Sequence, residues 1–214
     1  MNLIKILTER AKEKPDQKIY TVLPDGENTE LVLTLSELEA QAKSIATELL
    51  TKFEKEDRLL LLFDTSIEFL PTFWGCLFAG IIAVPIHPPM DLRMLNRAKS
   101  IIQDTGVKAI LTTSELQGKI SVFKAFLGEA AKLEIIAVDK VESKSKDYIE
   151  QDIDIASKAL IQYTSGTSGI SKGVLLTHKN LLHNASLLQE MQVEANSFYN
   201  VEHSTLIWLP LYHD

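Results

Sequence analysis

Hydrophobic positions fall into a readable order along the chain. Leu3, Ile4, Leu7 and Ala11 recur at helical spacing, and Pro15 closes that helix before a strand over 18–23. Pro24-Asp25-Gly26 reads as a turn, and the alternation over 30–34 predicts a second strand that pairs with the first as a hairpin. Ser36 followed by Glu39 has the spacing of a capping box, ahead of an apolar stripe through Leu38, Ala42, Ile45, Ala46, Leu49 and Leu50. From Arg58 onward, apolar runs of strand length alternate with helical segments. The expected strands are 59–63, 81–84, 108–112 and 134–138, and the expected helices 69–79, 91–104 and 114–127. Continuous apolar runs of this kind belong to parallel strands covered on both faces, so the pattern predicts an α/β fold with a mostly parallel β-sheet, flanking helices and an N-terminal β-hairpin.

The later part continues with a strand over 159–163, a loop over 164–173, a strand over 174–177, a helix over 179–191 and a strand over 205–209. Residues 139–154 mix both signs of charge with little apolar content and read as a solvated loop. The uncharged run from Phe69 to Ile86 reaches the ~18 residues at which a membrane span becomes possible. Pro71, Gly75, Gly80 and Pro85 punctuate it, however, and Gly80 marks the stop of a helix that feeds a buried strand. No membrane span is expected. The chain ends at Leu211-Tyr212-His213-Asp214, directly after an apolar stretch and without a polar tail, which reads as a portion of a longer protein.

Composition narrows the function classes. With 45% hydrophobic and 24% charged residues among 214, the chain can build a packed core and is not of disordered composition. Its net charge of −7 argues against nucleic acid, which requires clustered Lys and Arg. One cysteine, Cys76, cannot form an internal disulfide, and the opening residues lack a basic segment followed by a long apolar one, so a cytoplasmic protein is expected.

The most informative stretch is Thr164-Ser165-Gly166-Thr167-Ser168-Gly169-Ile170-Ser171-Lys172-Gly173. Gly166, Gly169 and Gly173 permit backbone conformations that bring amide N–H groups around an anion, the hydroxyls add donors without bulk, and Lys172 supplies a mobile positive charge. These are the parts of a phosphate-gripping loop. A Walker A loop would place glycine before the lysine and Ser or Thr after it, where Ser171 and Gly173 stand. A nucleophile elbow needs Gly-x-Ser-x-Gly, and here the second glycine comes one residue early. A plain flexible Ser/Gly linker is seldom placed between two buried strands.

Tyr163 to Gly173 resembles the phosphate-loop signature of adenylate-forming enzymes, the superfamily of acyl-CoA synthetases, peptide-synthetase adenylation domains and luciferases. Ala83-Val84-Pro85-Ile86-His87-Pro88-Pro89 and Trp208-Leu209-Pro210-Leu211-Tyr212-His213-Asp214 resemble the matching segments of fatty-acyl-AMP ligases, and so does the opening with Leu33-Thr34-Leu35-Ser36-Glu37-Leu38. Ser168 stands where the superfamily loop usually has Thr, and Ser171 where it has Pro; both changes keep the loop's donors. The resemblance implies that residues 1–214 are the N-terminal part of an AMP-binding domain, a partial large subdomain that stops before the rest of the nucleotide site and the C-terminal subdomain.

It further implies ATP-dependent activation of a fatty acid to an acyl adenylate, with Mg²⁺, and transfer to an acyl carrier protein. In that reading Thr164, Ser165, Gly166, Thr167, Ser168, Gly169, Lys172 and Gly173 bind the phosphates, and His213 lies near the acyl carboxylate and α-phosphate. Acyl-CoA ligation and amino-acid adenylation are the enzymatic alternatives, and a folded nucleotide-binding portion without catalysis is the non-enzymatic one. Elsewhere, His178 and His183 lie too far round a helix to share a face and read as cap or surface residues rather than metal ligands. Cys76 reads as core. Asp214 reads equally as a substrate contact or a solvated side chain, and His87, near the end of a strand, equally as a site or a structural residue. Pro85, Pro88 and Pro89 are expected to shape a turn.

Overall fold

A computed structural model describes residues 2–124, 131–164 and 172–199. Its centre is a six-stranded sheet built from β3 (Arg58–Leu62), β4 (Ile82–Ile86), β5 (Ala109–Thr112), β6 (Glu134–Ala137), β7 (Lys158–Thr164) and β8 (Lys172–Thr177), in the order β6-β5-β3-β4-β7-β8. The pairs from β6 to β7 are parallel, and β8 returns antiparallel to β7. Leu59 to Leu62 and every residue of β4 and β5 are buried, which is why these strands read as unbroken apolar runs rather than alternating ones.

Because successive strand side chains point to opposite faces, β3 divides its leucines between two cores. Leu59 and Leu61 join the core formed with α1 (Leu3–Glu13), α2 (Leu35–Leu50) and α3 (Phe69–Ala79). Leu60 and Leu62 join the core formed with α4 (Leu92–Thr105) and α5 (Ser114–Lys124). The first face is packed most tightly where α2 meets α3: a Cβ on Gly75 would lie 2.7 Å from Ile45 Cγ2, so only glycine lets the two helices approach this closely. Gly80, at φ +69°, ends α3 in the left-handed conformation and turns the chain into β4. Among the described residues no helix is long and apolar enough to cross a membrane, so the uncharged run is divided as its punctuation predicts.

Four expectations require correction. The cap of α2 is Thr34, whose Oγ1 accepts from Glu37 N at 3.3 Å while Glu37 Oε2 accepts from Thr34 N at 2.9 Å; Ser36 lies inside the first turn. The reason is tertiary: β2 (Leu31–Thr34) pairs antiparallel with β1 (Lys18–Val22) as far as Lys18↔Thr34, which holds Thr34 in the extended conformation a cap needs. Pro85 is not in a turn but inside β4, opposite Leu61 of β3. It is tolerated because the β4–β7 register is confined to Ala83↔Leu160, and a residue without an N–H need not extend that ladder.

The segment after β6 is also more than a solvated loop. It forms two 3₁₀ turns, Val138–Lys140 and Ser145–Asp147, and is pinned to the first face of the sheet. Tyr148 donates to Phe78 O at 2.8 Å and meets the Phe78 ring edge-on, Ser44 Oγ accepts from Lys144 N at 3.1 Å, and Ile153 is buried. Finally, His178 is neither a cap nor a surface residue. It opens α6 (His178–Tyr199) with its ring buried, and the capping pair belongs to Thr177 and Asn180. His183 is exposed, as expected. The expected strand over 205–209 and the end of the expected helix over 114–127 fall outside the described residues.

Candidate functional site at the carboxyl edge of the sheet

The chain leaves β3 through α3 on one face and leaves the neighbouring β4 through α4 on the other. Adjacent strands whose connections depart to opposite faces open a crevice at their carboxyl ends, the usual place for ligands in open α/β sheets. β4 ends there at Ile86 and is followed by His87, whose Nδ1 lies 2.6 Å from the Pro88 carbonyl; since a carbonyl only accepts, Nδ1 carries the proton. β7, the next strand in the sheet, ends there at Thr164.

The hydroxyl- and glycine-rich stretch bridges β7 and β8 as the tip of an antiparallel hairpin. Two facing pairs form its mouth, Tyr163↔Gly173 and Thr164↔Lys172. Register thus makes Thr164 and Lys172 direct cross-strand neighbours although the loop separates them in sequence. Lys172 is exposed, and among the described residues no carboxylate pairs with it, so its ammonium is available to an anion. β8 is an exposed edge strand, contrary to the expectation that the loop joins two buried ones. Ser165, Gly166, Thr167, Ser168, Gly169 and His213 lie outside the described residues, as does Asp214.

Beside this mouth stand two residues that motif reading did not single out, Arg97 and Asp104, and both meet Tyr163, the first residue of the motif. The Tyr163 hydroxyl donates to the Asp104 carboxylate, and Arg97 Nη2 donates to the Tyr163 carbonyl at 3.3 Å. Burial, followed by the hydrogen bond and charge of Asp104, holds the Tyr163 phenol far above its ordinary pKa, so it remains a donor throughout the physiological range. A Cβ on Gly173 would lie 2.9 Å from Tyr163 Cζ, giving this glycine a packing reason besides any role toward an anion. The spacing of Arg97 and Asp104 along α4 was the available signal, but nothing in the sequence says which strand residue they would meet. Cys76 is fully buried, and desolvation pushes its thiol pKa up, so it is an inert core residue as expected.

A mostly parallel α/β sheet with a hydroxyl- and lysine-bearing hairpin at its carboxyl edge defines a class of α/β proteins whose ligand-binding edge carries a basic, polar loop. Within that class the chain belongs to the AMP-binding enzyme family, whose profile matches residues 7–214. It is 33% identical over 217 residues to the medium-chain-fatty-acid–[acyl-carrier-protein] ligase JamA of Moorena producens, covering 99% of this chain and 36% of that protein. It is 31% identical to the long-chain-fatty-acid–AMP ligase FadD26 of Mycobacterium tuberculosis, covering 98% of this chain and 36% of the relative. The structure of a fatty acyl-adenylate ligase from Legionella pneumophila, solved with acyl adenylate and pyrophosphate, superposes with a TM-score of 0.81 at 31% identity, over 100% of this chain and 36% of that one. The chain therefore spans about a third of the length of these relatives.

Proposed function

We propose that residues 1–214 are the N-terminal part of the adenylation domain of a fatty-acyl-AMP ligase, which activates a fatty acid with ATP and passes the acyl group to an acyl carrier protein in the cytoplasm. The observation that carries this reading is the placement of Thr164 and Lys172 as facing residues at the carboxyl edge of the sheet. The similarity to ligases named for fatty acids, AMP and a carrier protein supports the choice of substrate and acceptor.

In the proposed step a carboxylate oxygen attacks the α-phosphorus of ATP. A new P–O bond forms to the acyl group, the bond to the bridging oxygen breaks, and its electron pair leaves with pyrophosphate. The obstacle is the repulsion between a carboxylate and a polyphosphate, and the remedy is fixed position together with preorganised positive charge and donors. Lys172 supplies the charge and Thr164 a hydroxyl donor. Ser165, Gly166, Thr167, Ser168 and Gly169 are assigned backbone and hydroxyl donors to the β- and γ-phosphates, Gly173 the close pairing of β8 with β7 beside them, and His213 a hydrogen bond near the reacting carboxylate. The hydroxyl and ammonium groups at the hairpin mouth suit phosphate oxygens rather than a metal ion, so these residues would hold Mg²⁺ only through the nucleotide, whose charge it neutralises when bound.

ATP–pyrophosphate exchange by the full-length protein, with fatty acids and amino acids as alternative substrates, tests the reading. Exchange driven by fatty acids alone, falling ~100-fold or more in Lys172→Ala, is the expected result. Exchange driven by amino acids, or an unaffected Lys172→Ala enzyme, overturns the substrate or the role of the lysine respectively. The 214 residues on their own are expected to show no exchange, because an incomplete pocket does not exclude water from the reaction.

A further inference from the structure

The mouth of the hairpin is gripped by α4 from the second face of the sheet. Asp104 takes the Tyr163 side chain at its hydroxyl, and Arg97, two turns earlier on the same helix, takes the same residue at its carbonyl. The Tyr163 ring in turn covers the bare backbone of Gly173 on β8. One tyrosine thereby joins a helix to both stems of the hairpin, immediately before the pair Thr164↔Lys172.

Neither Arg97 nor Asp104 is needed to dock α4. The helix is anchored by a separate buried stripe, Leu95, Ala98, Ile101, Ile102 and Thr105, while both polar side chains stand at its exposed margin. Its ends are fixed independently by the Asp91 cap, which accepts from Met94 N at 2.7 Å, and by Gly106 at φ +58°. Two polar groups outside the packing stripe that converge on one residue of another element add orientation more than cohesion.

We propose that Arg97, Asp104 and Tyr163 are positioning residues for the adenylation step: by fixing β7 and seating β8 against the tyrosine ring, they set where the Thr164 hydroxyl and the Lys172 ammonium stand relative to the polyphosphate. The inference rests on the function proposed above. A displacement of about 1 Å in a positioning group can cost on the order of 100-fold in rate, so a tether that contributes little to stability can still govern turnover.

The test combines kinetics with hydrogen exchange on the full-length protein. Tyr163→Phe keeps the ring over Gly173 and removes the tether, and Asp104→Leu removes the acceptor. Each is expected to lower kcat for ATP–pyrophosphate exchange roughly 10-fold and to raise KM for ATP, with KM for the fatty acid unchanged. The double variant is expected to lose no more than either single one, because both break the same link. Asp104→Asn, which retains an acceptor oxygen, should restore wild-type kinetics. Amide exchange should quicken at the hairpin mouth, over 162–164 and 172–174, and stay as in the wild type in the rest of the sheet and its helices, with the melting temperature little changed.

Wild-type kinetics and wild-type amide exchange in Tyr163→Phe and Asp104→Leu would overturn the inference. So would losses that follow a lowered melting temperature with faster amide exchange throughout the molecule. If the wild-type protein exchanges pyrophosphate with no fatty acid while amide exchange changes only at the hairpin mouth, the proposed function fails and the tether stands.

Discussion

The interior of the sheet and its β7–β8 margin are built by different rules. β3 after Arg58, the whole of β4, and β5 before Thr112 are apolar, lie between two layers of helices and need no specific partner to know which way is in. The margin ends in β8, where Val174 and Leu175 are exposed, and it is held at the loop by a glycine, a tyrosine and two polar residues of α4. Burial fixes the first region through many interchangeable contacts. The second depends on a few contacts that are not interchangeable, and it carries the residues suited to phosphate. Separating the two lets a chemically demanding loop vary without loosening the frame that presents it.

Substitutions that split stability from activity sharpen this contrast. The largest effect on stability is expected from Leu61→Ala at the fully buried centre of β3: about 2–5 kcal/mol, read as a lowered urea midpoint. Gly173→Ala forces the Tyr163 ring to move, and is expected to cost about 1–3 kcal/mol but a disproportionate share of pyrophosphate exchange. Equal proportional losses in both would erase the distinction between frame and margin. Thr34→Ala removes the α2 cap far from the loop, and should cost about 1 kcal/mol in the same urea titration with kinetics unaffected.

The smallest effect concerns pH. Burial holds the His178 imidazole below its ordinary pKa, and both ring nitrogens lack partners among the described residues. Because the folded pKa lies below the unfolded one, the unfolded chain takes up the proton first. The stability contributed by the neutral ring is fully present above pH 6.5 and is lost as pH falls from there toward the depressed folded value. Urea midpoints measured from about pH 8 down to about pH 5 should decline in the wild type and decline less in His178→Leu. Parallel curves would show that the ring is not sealed from water as the docking of α6 implies.

Where the sequence sufficed, one local cause acted alone. Gly80 ends α3 because it takes the left-handed conformation just after an apolar helical pattern, and the leucine run of β3 has only a doubly covered strand as its natural setting. Where two local readings competed, the fold chose. Thr34-Leu35-Ser36-Glu37 and Ser36-Glu37-Leu38-Glu39 are both capping patterns, and the register of β1 with β2 selected the first. Pro85 reads as a turn residue in any window, yet the sparse β4–β7 ladder admits it to a strand. The charged composition of 139–154 hid Tyr148 and Ile153, whose value depends on Phe78 and α1 being nearby.

The candidate site divides in the same way. The sequence by itself determined the chemistry, a lysine with hydroxyls and glycines between two strands, and the parallel α/β frame that carries them, because residue type and hydrophobic period are local properties. Only the tertiary structure decided that Thr164 faces Lys172, that Gly173 lies under Tyr163, and that Arg97 and Asp104 meet that tyrosine. Strand register and the reach of a helix side chain across a sheet are set by how whole elements pack, and no window of neighbouring residues contains that information.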